Sequence, residues 1–422
     1  MSKQFRPLTA FLVLTIVLLA CVVPVPSGTS TQSPGTAIPP ASPDPAKVGT
    51  VVALTLTALV PQEASPTATV PAPDGSTELL PHRLYYLGTD DAGITQVFFI
   101  ERDGVDRQQI TSEPVDVSDY DISPVDGSIA YVSDNQIFYV NADGTGRRVL
   151  IYPSSVDPNN PFMSTMSSPV FSLDGQTLAY SHKGLQIYTF ATDTSKLVIK
   201  NLVDDAGNNT FVPRELYAPE RYSPDGTKLL VNLSYYEGGS SAIYYPATND
   251  LVRLNGGEGA LICCDDTEWS PDSSSIYAAN PSMGMFSSGL WRVDAVTGAV
   301  TTLIQGDAGG GTYNVADEAY LAPDGQLYFF FANVSSPEGI ITRSPLQLVR
   351  SAPDTVTGWT TFSGPDFELL NEALWAPDAS FVVVAIAPAP EVYQGGQAEI
   401  VYLDGRPKVV LTPFARQMKW GP

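Results

Sequence analysis

A short phrase recurs down this chain about every fifty residues, and a chain built that way has few folds open to it. The phrase is an apolar or aromatic residue, Ser or Ala, Pro, Asp and Gly, followed within two or three residues by an apolar run. Its copies are Ile122-Ser123-Pro124-Val125-Asp126-Gly127, Phe171-Ser172-Leu173-Asp174-Gly175, Tyr222-Ser223-Pro224-Asp225-Gly226, Trp269-Ser270-Pro271-Asp272, Leu321-Ala322-Pro323-Asp324-Gly325 and Trp375-Ala376-Pro377-Asp378. A half-copy, Trp420-Gly421-Pro422, comes last. Self-similarity at this period means one supersecondary unit made many times over a continuous core. Length alone would suggest two or three domains for 422 residues, and the repeat overrides that prior.

One unit shows what is repeated. Around Tyr222 a strand ends in Pro224-Asp225-Gly226, a turn in which Pro presets φ, Asp accepts from following amides and Gly takes positive φ. Strands follow at Lys228 to Leu233, Ala242 to Tyr245 and Leu251 to Leu254, so the unit is a four-stranded antiparallel meander. The other units parse alike, although the fifth supplies only Leu327 to Ala332 and Leu346 to Ser351 after its phrase. Such a sheet leaves two apolar faces uncovered. Stacking sheets face to face around an axis buries both and leaves only short edges. The expected fold is therefore all-β, a β-propeller of four-stranded blades. Arg83 to Gly88, Thr95 to Arg102 and Arg107 to Thr111 form a blade lacking its inner strand, and Arg416 to Trp420 is a strand with no blade. Pro73-Asp74-Gly75 looks like the missing turn. Joining the two ends predicts seven blades in a ring closed by the C-terminal strand, with six or eight as the alternatives.

The N-terminus reads as an export signal. Lys3 and Arg6 precede an apolar run from Leu8 to Leu19 that is too short to span a bilayer comfortably. It ends in Leu18-Leu19-Ala20-Cys21, which resembles the lipobox of bacterial lipoproteins and implies cleavage before Cys21 and lipid on its thiol. The alternative is an ordinary secretory signal with an incidental Cys. Residues 21–81 are rich in Pro, Ser, Thr, Ala and Val and read as a disordered tether. Within it, Val48 to Val60 is apolar enough for a short surface helix or a sticky unstructured stretch. The expected organisation is a signal at 1–20, a tether at 21–81 and a propeller at 82–422, held at the extracytoplasmic face of a membrane as a monomer.

Formal net charge is −23, and removal of the two signal cations leaves −25. That balance argues against nucleic acid and anionic lipid headgroups as partners of the globular surface, and it admits cationic partners or metal ions. Besides Cys21 the chain has only Cys263 and Cys264, which are adjacent. They fit a strained vicinal disulfide, two free thiols, or a metal or intermolecular role. No CxxC pattern supports a redox or zinc site.

The recurring phrase, with Tyr139-Val140-Asn141-Ala142-Asp143-Gly144 at a strand end, resembles the repeat of TolB-type, WD40-like propellers over roughly residues 73–422. It is also similar to the propeller of prolyl oligopeptidases. TolB carries an α/β domain where this chain has a tether, and the oligopeptidases carry a hydrolase domain for which this length has no room. The resemblance therefore implies the fold and transfers neither role.

Propeller ligands bind where inner strands begin. Aligning the units on their phrases brings Asp119, Asp265, Asp266, Asp317, Glu318 and Glu372 to one end of the channel, with Glu220 nearby. Carboxylates so close recruit a cation or raise one another's pKa, and hard oxygen ligands suit Ca²⁺ or Mg²⁺. Three readings stand side by side: a Ca²⁺ site, a site for a basic partner, and solvated carboxylates at strand starts. Loops at the same end carry Tyr235, Tyr236, Phe286 and Tyr393, which either recognise a ligand or fold over their own blades. His82 and His182 are the only histidines, and no G-x-S-x-G, HExxH, P-loop or dinucleotide fingerprint occurs. The favoured expectation is a binding or scaffold propeller recognising a protein, peptide or glycan. The alternatives are a metal- or carboxylate-dependent hydrolase or lyase acting on extracellular carbohydrate or peptide, and an accessory lipoprotein of the cell envelope.

Overall fold

The structure, a computed structural model, describes residues 78–152, 155–236, 238–254, 267–280, 288–335, 343–352, 355–362, 364 and 366–422. Cys21, the turn at Pro73-Asp74-Gly75, Cys263, Cys264, Asp265, Asp266 and Phe286 lie outside the described residues. Everything described belongs to one unit spanning Gly75–Pro422.

Its regular structure is antiparallel strand, and the one helical piece among the described residues is a 3₁₀ turn, Pro161–Met163. Sheet 1 is the meander Val117–Ile122, Ile129–Ser133, Gln136–Val140, Arg148–Ile151. Sheet 2 runs Ser167–Phe171, Thr177–Ser181, Gly184–Thr189, Thr194–Lys200. Sheet 4 runs Thr267–Trp269, Ser275–Asn280, Gly289–Asp294, Val300–Gln305. Second strands such as Ile129–Ser133 and Phe381–Ile386 are apolar almost throughout because both of their faces are covered. Outermost strands such as Arg107–Gln109 have neighbours on fewer sides and are polar and exposed.

Sheets 3 and 5 depart from the four-strand expectation. In sheet 3, Thr210–Tyr222 is 13 residues long. Its first half pairs back on an added strand, Leu202–Gly207, and its second half pairs with Leu229–Tyr235. Gly238–Tyr245 and Asp250–Leu254 complete that sheet. In sheet 5, Asp307–Gly309 precedes Thr312–Leu321 in the same way, followed by Leu327–Val334, Gln347–Ala352 and Thr355–Thr361. The added strands escaped the sequence reading because they are Asp- and Gly-bearing and show no apolar alternation. Thr355–Thr361 is the fourth strand that the fifth unit lacked on paper.

Sheet 6 has seven strands in the order Leu370–Trp375, Phe381–Ile386, Gly396–Tyr402, Val409–Trp420, Leu84–Thr89, Thr95–Ile100, Arg107–Gln109. Val409–Trp420 serves two partners. Its first half pairs with Gly396–Tyr402, and its end pairs with the N-terminal strand through Leu84↔Trp420 and Tyr85↔Lys419. Ordered contacts begin slightly before residue 82: Leu79 and Leu80 both donate their amides to Arg102 O, and Leu80 is buried.

The core lies between sheets. One cluster joins Leu87, Val97 and Phe99 to Tyr120, Ile129 and Tyr131 of sheet 1. The next joins Ala130 and Val132 to Leu178 and Tyr180 of sheet 2. Similar clusters link sheets 2 and 3, 3 and 4, 4 and 5, and 5 and 6, and another packs the two halves of sheet 6 on each other. Each sheet thus buries both faces, which is what a β-propeller does with antiparallel sheets.

The turns follow the chemistry read from the phrase. Ser223 Oγ donates to Asp225 Oδ1 at 2.6 Å and accepts from Lys228 N at 3.1 Å, while Thr227 N donates to Asp225 Oδ1 at 2.9 Å. Burial works against the Asp225 charge, but bonds from Ser223, Thr227 and Lys228 outweigh it and hold the carboxyl well below the usual range. Gly226 takes φ +70, and a Cβ there would stand 3.3 Å from Leu173 Cδ1 of the preceding turn. The glycine therefore serves both backbone geometry and packing between sheets. Two copies lack it, yet Ser273 and Ala379 adopt φ +60 and +54 in its place. Ser273 uses its side chain, accepting Asp225 N of the neighbouring turn at 3.0 Å.

Candidate functional site

The carboxylates singled out by the alignment sit at irregularities in the first strands. Pairing with the second strand slips between Val117 and Asp119, Ser167 and Val170, Pro219 and Arg221, Asp317 and Tyr320, and Leu370 and Glu372. These are β-bulges in sheets 1, 2, 3, 5 and 6, about three to five residues ahead of the residue that precedes the turn's Pro or Leu, and Ser168, Glu318 and Gln417 in this region have φ of +55, +50 and +52. A bulge turns backbone amides out of the ladder, and those amides need acceptors.

The preceding sheet supplies them. Asp119 Oδ2 accepts Ser168 N at 2.8 Å, and Asp121 Oδ2 accepts Phe171 N at 2.8 Å. Glu318 Oε1 accepts Ala373 N at 2.8 Å, and Glu372 accepts the amides of Gln417 and Met418. Glu220 Oε1 accepts Thr267 Oγ1 at 2.6 Å. The acidic band is thus a set of ties that join sheet 1 to sheet 2, sheet 3 to sheet 4, sheet 5 to sheet 6 and the two halves of sheet 6 to each other, each reaching across one repeat. Burial pushes the Asp119 carboxyl up, against the opposing charge of Lys419 and the two amides it accepts. Lys419 Nζ donates to Asp121 Oδ1 at 2.8 Å and to Tyr120 O at 2.7 Å. Tyr120 in turn donates its hydroxyl to Gln417 O at 2.7 Å, and burial with the nearby Glu372, Asp121 and Asp119 charges raises its phenol well above 10.

Asp317 is buried, and its charge acts on the guanidinium of Arg343, whose pKa burial lowers. Arg343 donates to Val392 O at 2.9 Å and to Leu370 O at 2.6 Å, and it also meets Asn371 Oδ1. It pins the loop that carries Tyr393, and its guanidinium lies 5.7 Å from that ring's centroid. Asn371 holds the same loop through Gly395 O at 2.5 Å. Tyr393 itself is 71% exposed. On sheet 3, Tyr235 is half-buried against the core between sheets 2 and 3, whereas Tyr236 is 70% exposed. Both loops follow second strands, so each lies at the end of its own sheet away from the Pro-Asp turn. Among the described residues no three His, Cys, Asp or Glu side chains are arranged to hold a metal ion. His182 lies between Thr177–Ser181 and Gly184–Thr189, half-buried, with burial lowering its pKa.

The sequence reading missed Asp121, Lys419 and Arg343. Asp121 bonds a residue 50 positions on and Asp119 one 49 positions on, the period of the repeat. That regularity was available, but the partners are backbone amides, which no residue type announces.

No protein-family model matches the chain, and no curated protein matches it. Among solved structures it is similar to an oligogalacturonate lyase in complex with manganese, at 11% identity and a TM-score of 0.50, covering 79% of this chain and 86% of that one. It is also similar to TolB from Acinetobacter baumannii, at 17% identity and 0.42, covering 81% and 67%. A puromycin-hydrolysing peptidase of Mycobacterium tuberculosis is matched at 13% and 0.47, covering 83% and 57%. At such identities the likeness is one of fold, and the fold is the β-propeller that the recurring phrase implies.

Proposed function

We propose that the protein is a membrane-anchored, extracytoplasmic binding or scaffold propeller that recognises a protein, peptide or glycan at the bulged, acidic end of its channel. The observation that carries the reading is a stiff rim, tied sheet to sheet by Asp119, Glu318 and Glu372, from whose side Tyr236 and Tyr393 stand exposed. Exposed aromatics on rigidly held loops suit recognition, because little entropy is lost when they bind. Seven blades in a ring closed by the C-terminal strand complete the proposal, supported by the Leu84↔Trp420 pairing and the core shared by both halves of sheet 6. The lipobox-like Leu18-Leu19-Ala20-Cys21 supports the anchor and the tether that follows.

Two measurements test it. A photoreactive residue at Tyr236 or Tyr393 in intact cells is expected to label one partner that the same residue at Asp272 or Asp378, in turns at the opposite end, does not. Equal labelling from both ends sinks the site. Cys21→Ala is expected to release the chain from the membrane fraction, and retention there refutes the anchor. Stoichiometric Ca²⁺ in the purified protein, lost in Asp266→Ala with Glu318→Ala, would favour the metal-dependent hydrolase or lyase instead.

A further inference from the structure

At the opposite end of the molecule, the turn of sheet 1 differs from the turns of sheets 2 and 3. In Ser172–Gly175 and Ser223–Gly226 the glycine amide closes on a serine carbonyl three residues back. In the first turn Val125 is inserted, so Gly127 N closes on Ser123 O four residues back, at 3.0 Å. The extra residue is 61% exposed and leans over the next turn, its Cγ2 lying 3.2 Å from where a Cβ on Gly175 would stand. Beneath it, between the two sheets, opens a cleft of about 230 Å³. Tyr139 and Phe190 line it, with Asp126 and Asp174 at the turns and the hydroxyls of Ser123 and Ser128 between them.

We propose that this cleft receives an arginine side chain of a partner protein. Two ionised carboxylates beside aromatic rings form a surroundings suited to an organic cation, and a planar guanidinium can stack on a ring while forking to a carboxylate. The turns use Oδ1 of each aspartate: Asp126 Oδ1 takes Ser128 N and Oγ at 3.1 and 2.7 Å, and Asp174 Oδ1 takes Ser172 Oγ and Gln176 N at 2.6 and 3.0 Å. Oδ2 of each is left outside the turn's own bonding. For Asp126, burial opposes the charge, but hydrogen bonds from Ser128 and Ser123 outweigh it. The bond from Ser172 likewise lowers Asp174, so both are charged at neutral pH. The Tyr139 ring already accepts a guanidinium, that of Arg148, 4.9 Å from its centroid. The volume suits one side-chain head and stem, and the strongly acidic chain favours a basic partner over an acidic one.

The test uses the full-length protein and the peptide acetyl-Gly-Arg-Gly-amide, followed by saturation-transfer NMR on the peptide. Its citrulline analogue, isosteric but uncharged, is expected to bind about tenfold more weakly. Asp126→Asn with Asp174→Asn keeps an oxygen acceptor in each turn and is expected to cost about tenfold as well. The same pair of changes at Asp272 and Asp378 should cost nothing. Deleting Val125, which restores the standard turn, should abolish binding while urea unfolding stays cooperative. Equal binding of citrulline, equal loss in the Asp272 and Asp378 control, or tighter binding of a methyl glucoside than of the arginine peptide would each overturn the proposal, the last assigning the cleft to carbohydrate.

Discussion

Replacing Lys419 with methionine removes the charge that joins the last strand to sheet 1. Lys419 Nζ lies 2.8 Å from Asp121 Oδ1 and 5.3 Å from the centroid of the Tyr120 ring. The Lys419 side chain is 33% exposed and that of Asp121 17%. At an effective dielectric near 20, two unit charges at that separation attract by about 6 kcal/mol before desolvation is subtracted. Exposed pairs net about 0.2–1 kcal/mol, and breaking a buried pair costs about 3–5 kcal/mol. With the lysine a third exposed, the expected loss for Lys419→Met is about 2 kcal/mol. The pH dependence follows from Asp119, whose carboxyl burial raises and Lys419 lowers. An aspartate with a folded pKa above its unfolded value binds its proton more tightly when native. Stability therefore falls as pH rises from the unfolded value through the folded one. Without Lys419 that window widens upward, so the deficit should be greatest at neutral pH and shrink toward about pH 4. Urea unfolding of the wild type, Lys419→Met, Asp121→Asn and the double variant at both pH values reads this directly. A coupling of about 1–2 kcal/mol at neutral pH is expected. A single-variant loss below about 0.5 kcal/mol, or an additive cycle, would refute the claim that this pair fastens the strand.

Three further outcomes are expected. Gly226→Ala should lower stability by about 1–2 kcal/mol and by more than Gly325→Ala, because both share positive φ but only at Gly226 would a Cβ meet a neighbouring turn; equal urea midpoints would dissolve the packing argument. Burial opposes the Glu113 charge, yet a two-pronged bond from Arg147 at 2.6 and 2.7 Å and one from Tyr131 hold the carboxyl below its usual range. Its contribution is present above the unfolded value and lost as pH falls through the folded one, so Glu113→Gln should flatten the acid side of the melting-temperature profile between about pH 3 and 6. Trp375→Phe keeps a six-membered aromatic ring but removes the pyrrole half of the buried indole together with the bond from Nε1 to Glu318 O, and should cost about 2–3 kcal/mol in chemical unfolding; no change would mean that tie carries no weight.

The strands were largely legible, because burial on both faces leaves apolar runs such as Phe381–Ile386 that stop at Pro-Asp-Gly turns. The hairpin added ahead of sheet 3 was not, because Asp204, Asp205 and Gly207 are exposed and carry no periodic signal. The acidic band was legible as a position and opaque as a role. Asp119 and Glu372 were visible as carboxylates at one register, while Ser168 N and Gln417 N, the groups they hold, are the same in every residue type but proline.

By itself, then, the sequence determined a repeated four-stranded sheet, its turn chemistry and the end of each sheet at which acidic residues gather. Those properties are local: they depend on alternation, on Pro and Gly, and on spacing within one unit. The tertiary structure decided that Lys419 finds Asp121, 298 residues away, and that Val409–Trp420 belongs to two partners. It also decided that the inserted Val125 comes to line a cleft between two turns. Each is a relation between neighbouring copies of the repeat. Such relations depend on how sheets pack and on where bulged amides point, and the amino-acid letters encode neither until the faces meet.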